Sequence, residues 1–253
     1  MPATRKDQIA MIVYAPELVG DDDRPLAVVH AMERAHRGLR IGLVISDAGQ
    51  LIPLPDRDAF VLRESRRGEM PPLRSTDDGF RVSVTGWGIP AGLCPAGRAQ
   101  FEFHVALPLS SDGIAAAATL LEAVAETGRA FWGHATPVSA AVDIAHQTRS
   151  RPDPREPPPR GLPVIKSPGA LRSPEIPHRL GWLNYWSAAA AEAIGFPEPT
   201  RDAELLTRSR RTATGGWIVQ LTEAPLALDN PAHLDALKRA YARFPEIGGR
   251  AAS

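Results

Sequence analysis

Leu180-Gly181-Trp182-Leu183-Asn184-Tyr185-Trp186-Ser187, followed at once by the alanine-rich run Ala188 to Ala193, is the stretch on which the reading of this chain turns. It holds two of the five tryptophans and one of the three tyrosines. An aromatic, branched-apolar run ended by a serine and then by strong helix formers reads as a buried strand feeding a helix, with Ser187 as N-cap and Gly195 closing the helix. Rings of this size need a core around them, so Trp182, Tyr185 and Trp186 are assigned to it, with Trp217 from a later strand.

Working outward from that centre, the C-terminal pattern continues with two strand-like segments, Ala203 to Arg208 and Trp217 to Thr222, joined through Thr214-Gly215-Gly216. A closing helix follows, with Asn230 as cap, Pro231 at its first position, Leu234, Leu237 and Tyr241 on one face, and Lys238, Arg239 and Arg243 near its negative end. Upstream, residues 151 to 177 hold nine of the 25 prolines and read as a linker or an extended strap.

The N-terminal part opens with a strand, Ile9 to Ala15, then a helix entered through Asp21-Asp22-Asp23-Arg24-Pro25 and ended at Gly38. Leu39 to Ser46 reads as a second strand, and the proline-broken sequence through Arg74 as irregular surface with a short helix around Asp56 to Ser65. Phe80 to Gly86 and Gln100 to Leu107 read as a hairpin, the second strand burying Phe101, Phe103 and Val105 while His104 faces the wetter side. The clearest helix starts at Ser111-Asp112-Gly113, places Ile114, Ala117, Ala118 and Leu121 on one face and ends near Gly128. Phe131 to His134 reads as a strand or connector, and Pro137 to His146 as a helix.

These elements give an α+β protein: a mixed, largely antiparallel sheet with helices packed on one face, in a pattern that admits two related β-α-β-β-α halves. The expected organisation is an N-terminal half (1–150), the proline-rich segment (151–177) and a C-terminal half (178–253) carrying the aromatic stretch.

Composition narrows the function. Of 253 residues, 43% are hydrophobic, enough for a sizeable core, while 29 basic and 29 acidic residues cancel. A chain without net charge lacks the field that dominates nucleic-acid binding, so no direct nucleic-acid partner is expected. A single cysteine, Cys94, cannot form an internal disulfide or a multi-thiolate metal site. The start carries no signal-like apolar core, and no run approaches the roughly 20 apolar residues of a membrane span, so no membrane partner and a cytoplasmic location are expected.

The catalytic templates are missing: no Gly-x-Ser-x-Gly elbow, no phosphate loop and no His-Glu-x-x-His helix. Gly86 and Gly88 lack the context of a dinucleotide fingerprint and read as a turn. His104, His134 and His146 follow one another, and with Asp143 they are the one set that could converge on a metal; their spacing matches no metal motif, and independent structural roles are the simpler reading. No cofactor, metal or catalytic residue is therefore expected, and an enzyme using His104, His134 or His146 stands as the alternative. The acidic clusters Asp21, Asp22, Asp23 and Asp77, Asp78 are the candidate partner-binding residues, weighed against ordinary solvated loops.

The aromatic stretch, with Gly195-Phe196-Pro197, Asp202 to Leu206, Thr214-Gly215-Gly216-Trp217, Leu221 to Leu226 and Ala240 to Pro245, resembles a family of uncharacterised proteins abundant in myxobacteria. Tyr14-Ala15-Pro16 and Phe131 to Pro137 extend that resemblance into the N-terminal half. Residues 178 to 245 are also similar to the immunity protein 52 family, whose members neutralise toxins that carry a restriction-endonuclease-type nuclease domain. That similarity implies an antitoxin without chemistry of its own, whose partner is a cognate protein toxin, a nuclease encoded nearby.

Overall fold

The computed structural model describes residues 7–149, 153 and 155–251. Among the described residues ten strands form one sheet in the order β3-β2-β4-β5-β6-β1-β7-β8-β10-β9, and every neighbouring pair is antiparallel. The strands are β1 (Gln8–Pro16), β2 (Ile41–Ile45), β3 (Leu51–Pro53), β4 (Glu69–Ser75), β5 (Ser83–Ile89), β6 (Gln100–Pro108), β7 (Trp132–Pro137), β8 (Leu183–Trp186), β9 (Ser209–Arg211) and β10 (Trp217–Gln220). The helices are α1 (Arg24–Ala35), α2 (Arg57–Ser65), α3 (Ser111–Thr127), α4 (Val138–Ala145), α5 (Ala188–Ala193), α6 (Ala203–Leu206) and α7 (Pro231–Arg243). The α+β class with a largely antiparallel sheet thus holds.

The alternation expected for β6 is found in β1 as well, and it decides which way the sheet faces. Ile9, Met11, Val13 and Ala15 on β1, and Phe101, Phe103, Val105 and Leu107 on β6, are buried, while their neighbours are half-buried. The buried side lies under α3, which packs on β1, β6 and β7 and carries α1 beside it. Ser110 caps α3 by accepting from the Gly113 N–H (3.3 Å). A side chain at Gly113 would collide with the Pro108 carbonyl, its Cβ lying only 1.9 Å from that oxygen, so glycine lets the helix start directly on the end of β6. The buried stripe of α3 runs Ala116, Ala117, Leu120, Leu121 and Val124, one position round from the expected face.

The aromatic stretch joins the two ends of the chain. β8 lies between β7 and β10, pairing Trp186 with Trp132 and with Trp217. Trp186, Tyr185 and Trp182 are buried and Trp217 is partly buried. On the α3 side, the Tyr185 hydroxyl donates to Glu126 (2.8 Å). On the opposite side Trp186 meets Phe196 and Phe244 edge-on (centroids 5.0 and 5.2 Å), so the segments after α5 and α7 cover the back of the sheet there. Strands from before and after the proline-rich segment therefore belong to one sheet. Within that segment the described residues form 3₁₀ turns at 159–161 and 168–170 and bury Leu162, Ile165, Leu171 and Ile176 against the body.

Two local readings are corrected. Ala203 to Arg208 is not a strand: Ala203–Leu206 is α6, and the strand begins at Ser209. Ala, Glu and Leu are strong helix formers, and that preference outweighs the short apolar alternation. The stretch expected to be irregular contains β3 and β4. Pro71 and Pro72 of β4 fall where the register shifts between Met70 and Leu73, so the missing N–H groups sit at a bulge rather than in the regular ladder.

Candidate functional site

The side of the sheet away from α3 is where unsatisfied polar chemistry collects. The register sets Tyr14 on β1 opposite both Glu102 on β6 and Trp132 on β7, so all three project from that side, as does Gln100, two residues before Glu102 on β6 and opposite Pro16. The Tyr14 and Trp132 rings stack with centroids 3.9 Å apart. Above them the chain closes a cavity of about 370 Å³, walled by residues 92–95, by 167–169 of the proline-rich segment and by His178 and Arg179. The two walls are tied together by the Ala96 N–H donating to the Leu171 carbonyl (2.9 Å).

The electrostatics of this cavity follow from burial. His178 donates from Nε2 to the Lys166 carbonyl (2.9 Å), so its Nδ1 is the acceptor that Arg179 approaches at 3.3 Å. Burial and the adjacent guanidinium hold its pKa down to about 4, which keeps the ring neutral. Burial, reinforced by the negative charge of Glu102, pushes the Tyr14 phenol well above its usual value, so it stays protonated. Glu102 is itself engaged by His104 at 2.9 Å, and His104 stacks on Trp87 (4.0 Å). Cys94, whose thiol is pushed up by burial, donates to the Ile89 carbonyl (3.4 Å) and is not a poised nucleophile.

His104 and His134 are brought into one row but not onto one ligand. Both pair with Ile12, from opposite sides of β1, which separates their backbones by two strand spacings, about 10 Å. His134 is buried with both ring nitrogens unpartnered, and burial drives its pKa down to about 3. His146 begins a 3₁₀ turn beyond α4, and Asp143 is taken by Arg160 (3.2 Å). Among the described residues no group of three His, Cys, Asp or Glu side chains is placed to hold a metal ion.

The acidic candidates fall at opposite ends of the strands: Asp21 to Asp23 follow the end of β1, whereas Asp77 and Asp78 precede β5, which starts beside the other end of β6. Asp22 is consumed by Arg24, which donates to it from both Nε (2.8 Å) and Nη2 (2.6 Å). Asp23 precedes α1, its carbonyl accepting from Ala27 (2.9 Å). Asp77 closes a turn onto the Gly79 N–H (2.7 Å). Asp78 is exposed but bracketed by Arg74 (3.5 Å) and Arg81 (3.4 Å), and Asp21 is exposed beside Arg66 (2.9 Å). The groove that contains Asp78, about 460 Å³, is therefore lined by two arginines as well as the carboxylate.

A family model described as a domain of unknown function (DUF5953) matches residues 20–252. The chain belongs to that family. Among solved structures, this chain is similar in fold to one titled Pseudomonas aeruginosa T6SS protein PA0821, with a TM-score of 0.53 and 15% identity, over 94% of this chain and 72% of that one. No curated protein matched. Sequence reasoning missed the cavity and, in Gln100, Trp132, His178 and Arg179, the residues that line it. The one available signal was the polar Gln100 and Glu102 alternating with buried phenylalanines on β6.

Proposed function

We propose that this chain is a cytoplasmic immunity protein that binds and neutralises a cognate toxin by direct protein-protein contact, the toxin being a restriction-endonuclease-type nuclease encoded nearby. The observation that supports the reading is the likeness of fold, across nearly the whole chain, to a protein titled as a Pseudomonas aeruginosa T6SS protein. The resemblance to immunity protein 52 read from the sequence of residues 178 to 245 is in keeping with that reading. No helix among the described residues is long and apolar enough to cross a membrane.

The surface offers anchors of the kind such contacts use. Trp87 is 40% exposed, and Leu51 and Ile52 lie exposed on β3, an edge strand with an unpaired side. Of the acidic candidates, Asp21, Asp23, Asp77 and Asp78 are exposed, and Asp22 is half-buried. The test is to express the product of the adjacent gene in a susceptible bacterium with and without this chain. Rescue from killing, with both proteins recovered as one complex, is the expected result; killing that this chain neither relieves nor binds overturns the pairing.

A second reading, an enzyme using His104, His134 or His146, draws on the two unpartnered nitrogens of His134. Metal analysis of the purified protein, followed by chelation, tests its metal-dependent form: no bound ion and no change on chelation removes it.

A further inference from the structure

Buried side-chain donors without partners gather around one cavity. Six buried side-chain atoms lack a hydrogen-bond partner among the described residues, and all are nitrogens. Three of them, Gln100 Nε2, Trp132 Nε1 and Arg179 Nε, belong to residues lining the cavity between the sheet and the proline-rich segment. Two more are the ring nitrogens of the neutral His134, one a donor and one an acceptor, in a ring that stacks against Trp132 (6.2 Å) outside the cavity lining. A protein rarely leaves one buried donor unmet, and here the unmet need in the cavity is of a single kind: acceptors.

The charges agree with the donors. Glu102, the carboxylate in the lining, is engaged by His104, and His178 presents only a lone pair to Arg179, so the Arg179 guanidinium lines the cavity with no carboxylate paired with it among the described residues. Tyr14, Trp132, Ile89, Leu93 and Pro168 supply a flat and apolar wall. At about 370 Å³ the space lies within the range of small-molecule sites.

We propose that this cavity binds a small organic carboxylate, its carboxylate on Arg179 with Gln100 and the Trp132 indole N–H as further donors, and its apolar body against the Tyr14–Trp132 stack. This assignment is independent of the immunity reading, because the cavity lies beneath the proline-rich segment and uses none of the residues put forward for partner contact.

The experiment is ligand-observed NMR on the full chain with benzoate, phenylacetate and hexanoate, and with benzamide and phenylacetamide as neutral counterparts. At least one carboxylate is expected to bind with Kd on the order of 1 mM or tighter, and its amide at least about tenfold more weakly. Arg179→Gln is expected to weaken the carboxylate by about tenfold or more, Arg179→Lys by less, and Trp132→Phe and Gln100→Leu severalfold each. No carboxylate binding up to about 10 mM, or amides that bind equally well, overturns the proposal and leaves the donors to ordered water. Carboxylate binding unchanged in a folded Arg179→Gln overturns it too. The comparison of carboxylate with amide on the unaltered chain stands even where a variant fails to fold.

Discussion

At Gly181 the backbone runs so close to β7 that a methyl group has no room: its Cβ would stand 2.4 Å from Thr136 Oγ1 and 2.9 Å from the Cβ of His134. The same Oγ1 accepts from the Trp182 N–H (3.2 Å), so neither partner can move away without losing a bond. Gly181→Ala is expected to lower stability by about 2–3 kcal/mol in urea titration, and Thr136→Ala to recover part of that loss in the double variant. Glu126 does a different job. One of its oxygens accepts from Tyr185, Thr212 and Thr214, each at 2.8 Å, and so ties β8 and the β9–β10 turn to α3. Glu126→Leu leaves three hydroxyls searching for acceptors and is expected to cost about 2–4 kcal/mol, whereas Glu126→Gln keeps an acceptor and loses less.

The C-terminal helix is held at the scale of the element by a buried ion pair. Asp202, wholly buried, takes Arg243 from both Nε (2.7 Å) and Nη2 (2.9 Å) while also accepting from the Glu198 N–H (2.7 Å). This pair joins the start of α6 to the end of α7 and sets Phe244 against Trp186. Arg243→Leu strands a buried carboxylate and is expected to destabilise by about 3–5 kcal/mol, while Arg243→Leu with Asp202→Leu is expected to be milder, as the double-mutant cycle in denaturant will measure. Element identity itself was largely legible from sequence: α1, α3, α7 and the β5–β6 hairpin follow from caps, turns and apolar spacing. Where reading failed, in β4 and α6, a bulge absorbed two prolines, and helix propensity prevailed over apparent alternation.

On the scale of the molecule, the β7–β8 pairing makes the sheet continuous across the proline-rich segment. Unfolding is therefore expected as one transition, with far-ultraviolet circular dichroism and tryptophan fluorescence coinciding. Two histidines give that transition a pH dependence. His134 and His178 have pKa values held down by burial to about 3 and about 4, below the ordinary 6.5. Below pH 6.5 the unfolded chain takes up protons that the folded chain refuses, so stability declines as pH falls from about 6.5 toward 4. The slope approaches ~2.7 kcal/mol per pH unit when both contribute. Urea midpoints measured across this window in the parent, His134→Gln and His178→Gln should show the dependence weakening with each replacement.

By itself the sequence determined what neighbours a few residues apart can determine: the α+β class, the caps of α5 and α7, and the burial of Trp182, Tyr185 and Trp186. It also displayed the residue types, three histidines and five aspartates, without saying which would meet. Only the tertiary structure decided that His104 and His134 stand two strands apart, that Asp22 belongs to Arg24, and that Gln100, Trp132 and Arg179 surround one cavity. The physical reason is range. Helix caps and alternation depend on backbone geometry over a few residues, whereas strand order and register are set when the whole apolar surface closes at once. A shift of one residue in β6 or β7 would turn Glu102, His104, Trp132 and His134 to the α3 side, and no local signal in either strand records which register the core selects.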